Sequence, residues 1–144
     1  MRHASRVVVT WAALLMGSGI GMAAGPTPEG AGTVLTAPGG SYRQIGPAAL
    51  EAMLGRKDFT FVNVHVPYEG EIARTDAHVP YDRVAQQITR FPAERNAKIV
   101  LYCRTGHMSG IAAETLVRLG YMNVWDLAGG FEGWKRAGLP LASR

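Results

Sequence analysis

The sequence predicts an α/β domain in three layers, a central parallel sheet covered by helices on both faces. Three observations carry that prediction. Short β-branched and aromatic runs alternate along the chain with stretches whose apolar residues fall at helical spacing. The connections between them are short, as in successive strand-helix-strand units. The run Ile99-Val100-Leu101-Tyr102 is apolar throughout, as suits a strand buried on both faces.

In chain order, residues 41–45 can form a short strand, and Pro47 opens a helix over 47–54, because a first helical position has no use for the missing N–H. Lys57 and Asp58 make a turn. The run Phe59-Thr60-Phe61-Val62-Asn63-Val64 is too short for a stable helix and reads as a buried strand. Residues 65–80 are irregular and punctuated by Pro67 and Pro80, and a helix is expected over 81–90, stopped by Pro92. A strand over 98–102 runs directly into Cys103. After a loop over 103–109, the spacing of Met108, Ala112, Leu116 and Leu119 predicts a helix over 109–119 with Gly120 as its stop. A strand over 124–127, a turn at Gly129-Gly130 and a helix over 131–137, closed by Gly138 and Pro140, complete the set.

The chain of 144 residues, 47% hydrophobic and 18% charged, has room for one such domain. Residues 1–24 read as an export signal: Arg2 and Arg6 precede an uncharged stretch over 7–22, and Gly21-Met22-Ala23-Ala24 suits a signal peptidase. The protein is therefore expected in the periplasm or outside the cell. Left uncleaved, the same stretch would be a membrane anchor, though it is slightly short for a spanning helix. Residues 25–40, rich in Gly and Pro, read as a flexible linker, with the folded domain over 41–144. Loss of Arg2 and Arg6 from the 15 basic residues leaves 13 against 11 acidic ones, and no basic run exceeds a pair. Nucleic acid is excluded as a partner on that ground.

Cys103 is the sole cysteine, so no intramolecular disulfide can form, although an exported chain meets oxidising conditions. The strand before it delivers it to the carboxyl edge of a parallel sheet, where ligands of such folds gather. There the amides of residues 104–109 and the positive end of the next helix can surround an anion. Such surroundings bring a thiol from about 8.5 into a range of roughly 3.5 to 7.5. Gly106 permits a positive φ or a close backbone approach, and Arg104 can steer an anionic donor. An inert core cysteine would have apolar neighbours, unlike Arg104, Thr105, Gly106 and His107. Thr105 and Ser109 read as hydrogen-bonding stabilisers of the loop, and His107 either modulates the site or is simply solvated. Asp126 either pairs with a loop arginine or is an ordinary polar residue of a strand end. His65, Glu69, Glu71, Asp76 and His78 match no ligand spacing, so no metal is expected.

The run Cys103-Arg104-Thr105-Gly106-His107-Met108-Ser109 resembles the active-site loop of rhodanese domains: cysteine, a basic residue, a small one, glycine, two variable positions and a small polar residue. Gly120-Tyr121, the run from Val124 to Phe131, Trp134 and Gly138-Leu139-Pro140 are similar to that family's C-terminal signature, and residues 45–54 and 59–64 to its opening elements. The resemblance implies a rhodanese-like three-layer fold over 41–144 and a sulfurtransferase without a cofactor. Cys103 would carry sulfane sulfur as a persulfide, taken from a donor such as thiosulfate, with Arg104, Thr105, Gly106, His107, Met108 and Ser109 forming the substrate loop. The implied partners are a small sulfur-containing anion or thiol and a small or protein acceptor.

Three departures bear on that expectation. Asn63-Val64-His65 stands where the family usually has Asp-Val-Arg, so an acidic-basic brace of the site is missing. Ala77-His78-Val79-Pro80 only partly echoes a Gly-His-Ile-Pro-Gly-Ala segment. Met108 stands where many relatives carry Arg or Lys, leaving one loop cation and weakening the case for thiosulfate. A phosphatase or arsenate reductase would need an arginine six residues after the cysteine, where Ser109 stands. The competing expectation is a non-enzymatic module that carries sulfur, senses redox state or binds a partner.

Overall fold

The computed structural model describes residues 32–143. The expected export signal over 1–24 and the first part of the expected linker, 25–31, lie outside them. Six strands form one sheet: β1 (Thr33–Ala37), β2 (Gly40–Ile45), β3 (Thr60–Asn63), β4 (Ala77–His78), β5 (Ile99–Tyr102) and β6 (Val124–Leu127). Their spatial order is β1-β2-β6-β5-β3-β4, parallel except for the antiparallel pair β1 and β2. Three helices cover it: α1 (Pro47–Gly55), opened by Pro47 as expected, α2 (His107–Arg118) and α3 (Gly130–Arg136).

The alternation of side chains along each strand sorts the core into two clusters. On β5, Ile99 and Leu101 face α2 and pack with Ala112, Ala113 and Leu116, together with Val84 and Phe91. Val100 and Tyr102 face the other way, onto Leu50 and Leu54 of α1 and Phe131 and Trp134 of α3. Phe61 and Val62 of β3 divide in the same manner. All four β5 side chains are 0% exposed. Full burial of side chains of this size contributes roughly 1.5–3 kcal/mol each. The three layers expected from the sequence are therefore present, with the sheet apolar on both faces.

Two expectations need correction. The linker reading fails over 33–40, because Pro38 and Gly39 make a turn that folds β1 back onto β2, pairing Thr33 with Gln44 and Leu35 with Tyr42. Leu35 and Ala37 reach the α2-side core, so a segment poor in apolar residues is ordered by backbone pairing and two side chains. The folded unit thus begins before residue 41. The single helix expected over 81–90 is instead two 3-10 turns, Tyr81–Arg83 and Ile88–Arg90. Within 83–90 only Val84 is buried, with Ile88 partly so, and that is too little packing to hold a regular helix of this length. The irregular stretch 65–80 also yields β4, a short edge strand added beside β3.

Candidate active site

β5 ends at Tyr102, and the next residue, Cys103, sits at the carboxyl edge of the sheet under the amino end of α2. Its side chain is 1% exposed and belongs to the α2-side core. The Gly106 N–H donates to Sγ at 3.0 Å and the Ser109 hydroxyl lies 3.4 Å from Sγ. Gly106 has φ +103° and precedes the first residue of α2, so the glycine expected at a special backbone position occupies one. The helix begins two residues earlier than expected, which brings its positive end closer to the sulfur.

The loop is clamped from outside by α3. The amides of Phe131 and Glu132 donate to the carbonyls of Cys103 and Arg104 at 2.9 and 3.0 Å. That approach requires Gly130: at φ +56°, an added Cβ would lie 2.4 Å from the Cys103 carbonyl oxygen and from the Arg104 backbone. The C-terminal Gly-Gly and the cysteine loop are thus one hydrogen-bonded unit.

The loop residues face different ways. Arg104, Thr105 and His107 are exposed, Met108 packs on the α2-side core, and Ser109 is fully buried. Arg104 lies between two carboxylates, 3.6 Å from Glu69 and 3.6 Å from Glu132. Its charge is therefore partly answered at the mouth of the site. The hydrogen bond from Lys135 holds the Glu132 carboxyl below its usual value, and Arg104 and Arg136 add to that effect.

A brace is present where the sequence suggested none. His65 Nε2 meets Glu69 at 2.7 Å, Asn63 Oδ1 accepts the His65 N–H at 3.0 Å, and Asn63 Nδ2 donates to the Gly70 carbonyl at 3.0 Å. The His65 ring meets Phe131 edge-on, with centroids 5.5 Å apart. His78 contacts the His65 carbonyl at 2.7 Å. Glu69 joins His65 to Arg104, a link no local pattern advertises because its members come from separate segments.

Asp126 is neither a partner of a loop arginine nor an ordinary polar residue after a strand: it is a buried member of β6. It is 0% exposed, opposite Leu101 and Gln44 in register and so beneath α2. Gln44 Nε2 donates to its Oδ2 at 3.1 Å. Burial pushes the carboxyl up to about 6, against hydrogen bonding from Ser109 and Gln44.

A shallow cleft lined by Val34, Arg43, Met122 and Trp125 opens at the other end of the sheet, away from Cys103. Among the described residues, no three His, Cys, Asp or Glu side chains converge as metal ligands would. The assembled groups can hold a sulfur-centred anion at Sγ with backbone and hydroxyl donors.

The comparisons with known proteins agree with this geometry. A thiosulfate sulfurtransferase GlpE of Vibrio cholerae is 33% identical over 102 residues, covering 69% of this chain and 94% of that protein. A sulfurtransferase of Allochromatium vinosum is 33% identical over 91 residues, covering 60% and 81%. The crystal structure of a rhodanese-related protein from Thermoplasma volcanium superposes with a TM-score of 0.60 at 31% identity, covering 70% of this chain and 98% of its own. The family model for the rhodanese-like domain matches residues 47–137, the span that holds the cysteine loop and its clamp, and the chain belongs to the rhodanese-like domain family.

Proposed function

We propose that the protein is an exported sulfurtransferase that moves sulfane sulfur from a small anionic or thiol-based donor to a thiophilic acceptor through a Cys103 persulfide. The observation that carries the proposal is Sγ of Cys103 at the carboxyl end of β5, facing the Gly106 amide and the amino end of α2. The relatives named as sulfurtransferases support the reaction class.

With thiosulfate as donor, the Cys103 thiolate attacks the outer sulfur. A new S–S bond forms, the old one breaks, and its electron pair leaves with sulfite, so charge balances across the step. The persulfide anion then sits among the loop donors until a thiolate or cyanide takes its terminal sulfur and restores the Cys103 thiolate. No general base is needed for a sulfur nucleophile that enters as the thiolate. Arg104 draws the donor to the mouth, tempered by Glu69 and Glu132.

A second reading has support of its own. A sulfur only 1% exposed, beside a cation already shared by two carboxylates, suits a carrier that is loaded and unloaded by a partner protein. One experiment separates the two. The purified domain is incubated with thiosulfate, sulfite release is followed, and intact mass is read with Cys103→Ser in parallel. The enzyme releases sulfite over many turnovers with cyanide present, gains about 32 Da on Cys103, and does neither in the variant. A single equivalent of sulfite with the same mass gain supports the carrier, and no gain with any sulfane donor overturns both.

A further inference from the structure

The two carboxylates beside Arg104 are not equivalent. Its guanidinium lies 3.6 Å from Oε2 of Glu69 and 3.6 Å from Oε1 of Glu132. Both separations exceed hydrogen-bonding range, so the carboxylates offset its charge without occupying its N–H donors. Glu132 Oε1 is also held by Lys135 at 2.9 Å on the same helix, and that hydrogen bond is the first cause of its lowered carboxyl. Glu69 has no such lysine: among the described residues, Arg104 is the only Lys or Arg paired with it. Its other tie is the His65 ring, whose Nε2 meets the same Oε2 at 2.7 Å. His65 is buried, and its Nδ1 has no hydrogen-bond partner among the described residues. A second proton on that ring would be buried without an acceptor, so the ring serves Glu69 as a neutral donor. The carboxylate keeps its charge and spends it on Arg104.

We propose that Glu69, seated by His65, is a specificity-determining residue that disfavours doubly charged donors and fits the site to sulfane donors with one negative charge, such as an organic thiosulfonate or persulfide. The interaction of a donor with the charges at the mouth scales with its own charge, so the Glu69 carboxylate opposes a dianion twice as strongly as a monoanion. One guanidinium with free donors suffices to hold a single anionic group, and Met108 adds no second cation to the loop. The chemistry at Cys103 is the same for either donor. With methanethiosulfonate the thiolate forms an S–S bond to the outer sulfur, the donor's S–S bond breaks, and its electron pair leaves with methanesulfinate.

This inference rests on the sulfurtransferase reading and deepens it, but its first test needs no sulfur transfer. Alkylation of Cys103 by neutral iodoacetamide and by anionic iodoacetate is timed at low and high salt for the parent, Glu69→Gln and Glu132→Gln. A change in the thiol itself moves both reagents alike, so the ratio of their rates reads the charge at the mouth. Retained thermal unfolding transitions verify that each variant is folded. At low salt Glu69→Gln is expected to raise the iodoacetate-to-iodoacetamide ratio by about threefold, with the gain shrinking at high salt, and Glu132→Gln by less than about 1.5-fold. In turnover, Glu69→Gln is expected to lower KM by about tenfold for thiosulfate and about threefold for methanethiosulfonate, because the dianion feels the lost charge twice. An unchanged alkylation ratio, or equal shifts in KM for the two donors, would make Glu69 a brace alone and overturn the proposal. Absence of both sulfite and methanesulfinate, with the alkylation ratio shifted as expected, would count against sulfur transfer and leave the charge-selecting role of Glu69 standing.

Discussion

Two segments leave the carboxyl ends of neighbouring strands, and they are held in opposite ways. The loop after β5 is held by backbone: the Gly106 amide on Sγ, and the Phe131 and Glu132 amides on the Cys103 and Arg104 carbonyls. The longer segment after β3 is held largely by side chains. Asp76 accepts the Phe61 N–H at 2.7 Å and the Lys57 ammonium at 2.6 Å, and the Tyr102 hydroxyl accepts the Ile72 N–H at 3.0 Å and meets Thr75 at 2.8 Å. Burial keeps that Tyr102 phenol far above its ordinary range, so it stays a neutral anchor. A loop held by its backbone depends on glycines and tolerates variety elsewhere. A segment held by side chains depends on a few distant residues.

The sharpest way to break this contrast is Gly130→Ala. The added carbon would meet the Cys103 carbonyl oxygen at 2.4 Å, so α3 must move off the loop. A loss of at least about 3 kcal/mol in denaturant unfolding is expected, together with loss of Cys103 reactivity. An unchanged midpoint would mean that the clamp is not what holds the loop.

Asp126 is the side-chain exception within the backbone-held region, and pH exposes it. The folded protein keeps the Asp126 proton up to about 6, against 3.8 as the ordinary value. The folded state therefore binds the proton more tightly. The resulting stabilisation is complete below pH 3.8 and is lost as pH rises through about 6. At pH 7.5 Asp126→Asn should be more stable than the parent by up to about 3 kcal/mol, and near pH 4 the two should coincide. Denaturant titrations at both pH values check the sign.

Tyr102→Phe tests the other segment. It removes the acceptor of a buried amide while keeping the ring that packs 4.8 Å from Phe61. A cost of about 1–3 kcal/mol follows, with earlier hydrogen exchange at Ile72 than at Gly106. The smallest effect belongs to Arg104→Ala. The side chain is half exposed and shared by Glu69 and Glu132, so KM for an anionic donor should rise by less than about tenfold with kcat nearly unchanged.

The same contrast explains what was legible in the sequence. β5, β6, α2 and the Cys103 loop follow from local signals, an apolar run, a helical period and a glycine at the turn into the helix, and they stand where expected within one or two residues. β1 was not legible because Thr33 to Ala37 looks like linker until β2 is beside it to pair with. The helix expected over 81–90 was lost for the converse reason: acceptable helical residues, but little burial to reward them. At the site, Cys103, Gly106 and Ser109 could be found by position in one motif. The joining of His65 to Arg104 through Glu69, and the burial of Asp126 opposite Leu101, depend on strand register and a long excursion. No window of sequence contains them.

The amide clamp of α3 on the cysteine loop has a use in reading genomes. Two glycines a few residues past a short strand near the end of such a chain report on a loop more than twenty residues upstream, because Gly130 must lie against the Cys103 and Arg104 carbonyls for the loop to keep its shape. A related chain that keeps the glycines but has exchanged the cysteine would then be expected to retain an anion-binding cup without a sulfur nucleophile, and could be sorted from its active relatives by sequence before any assay.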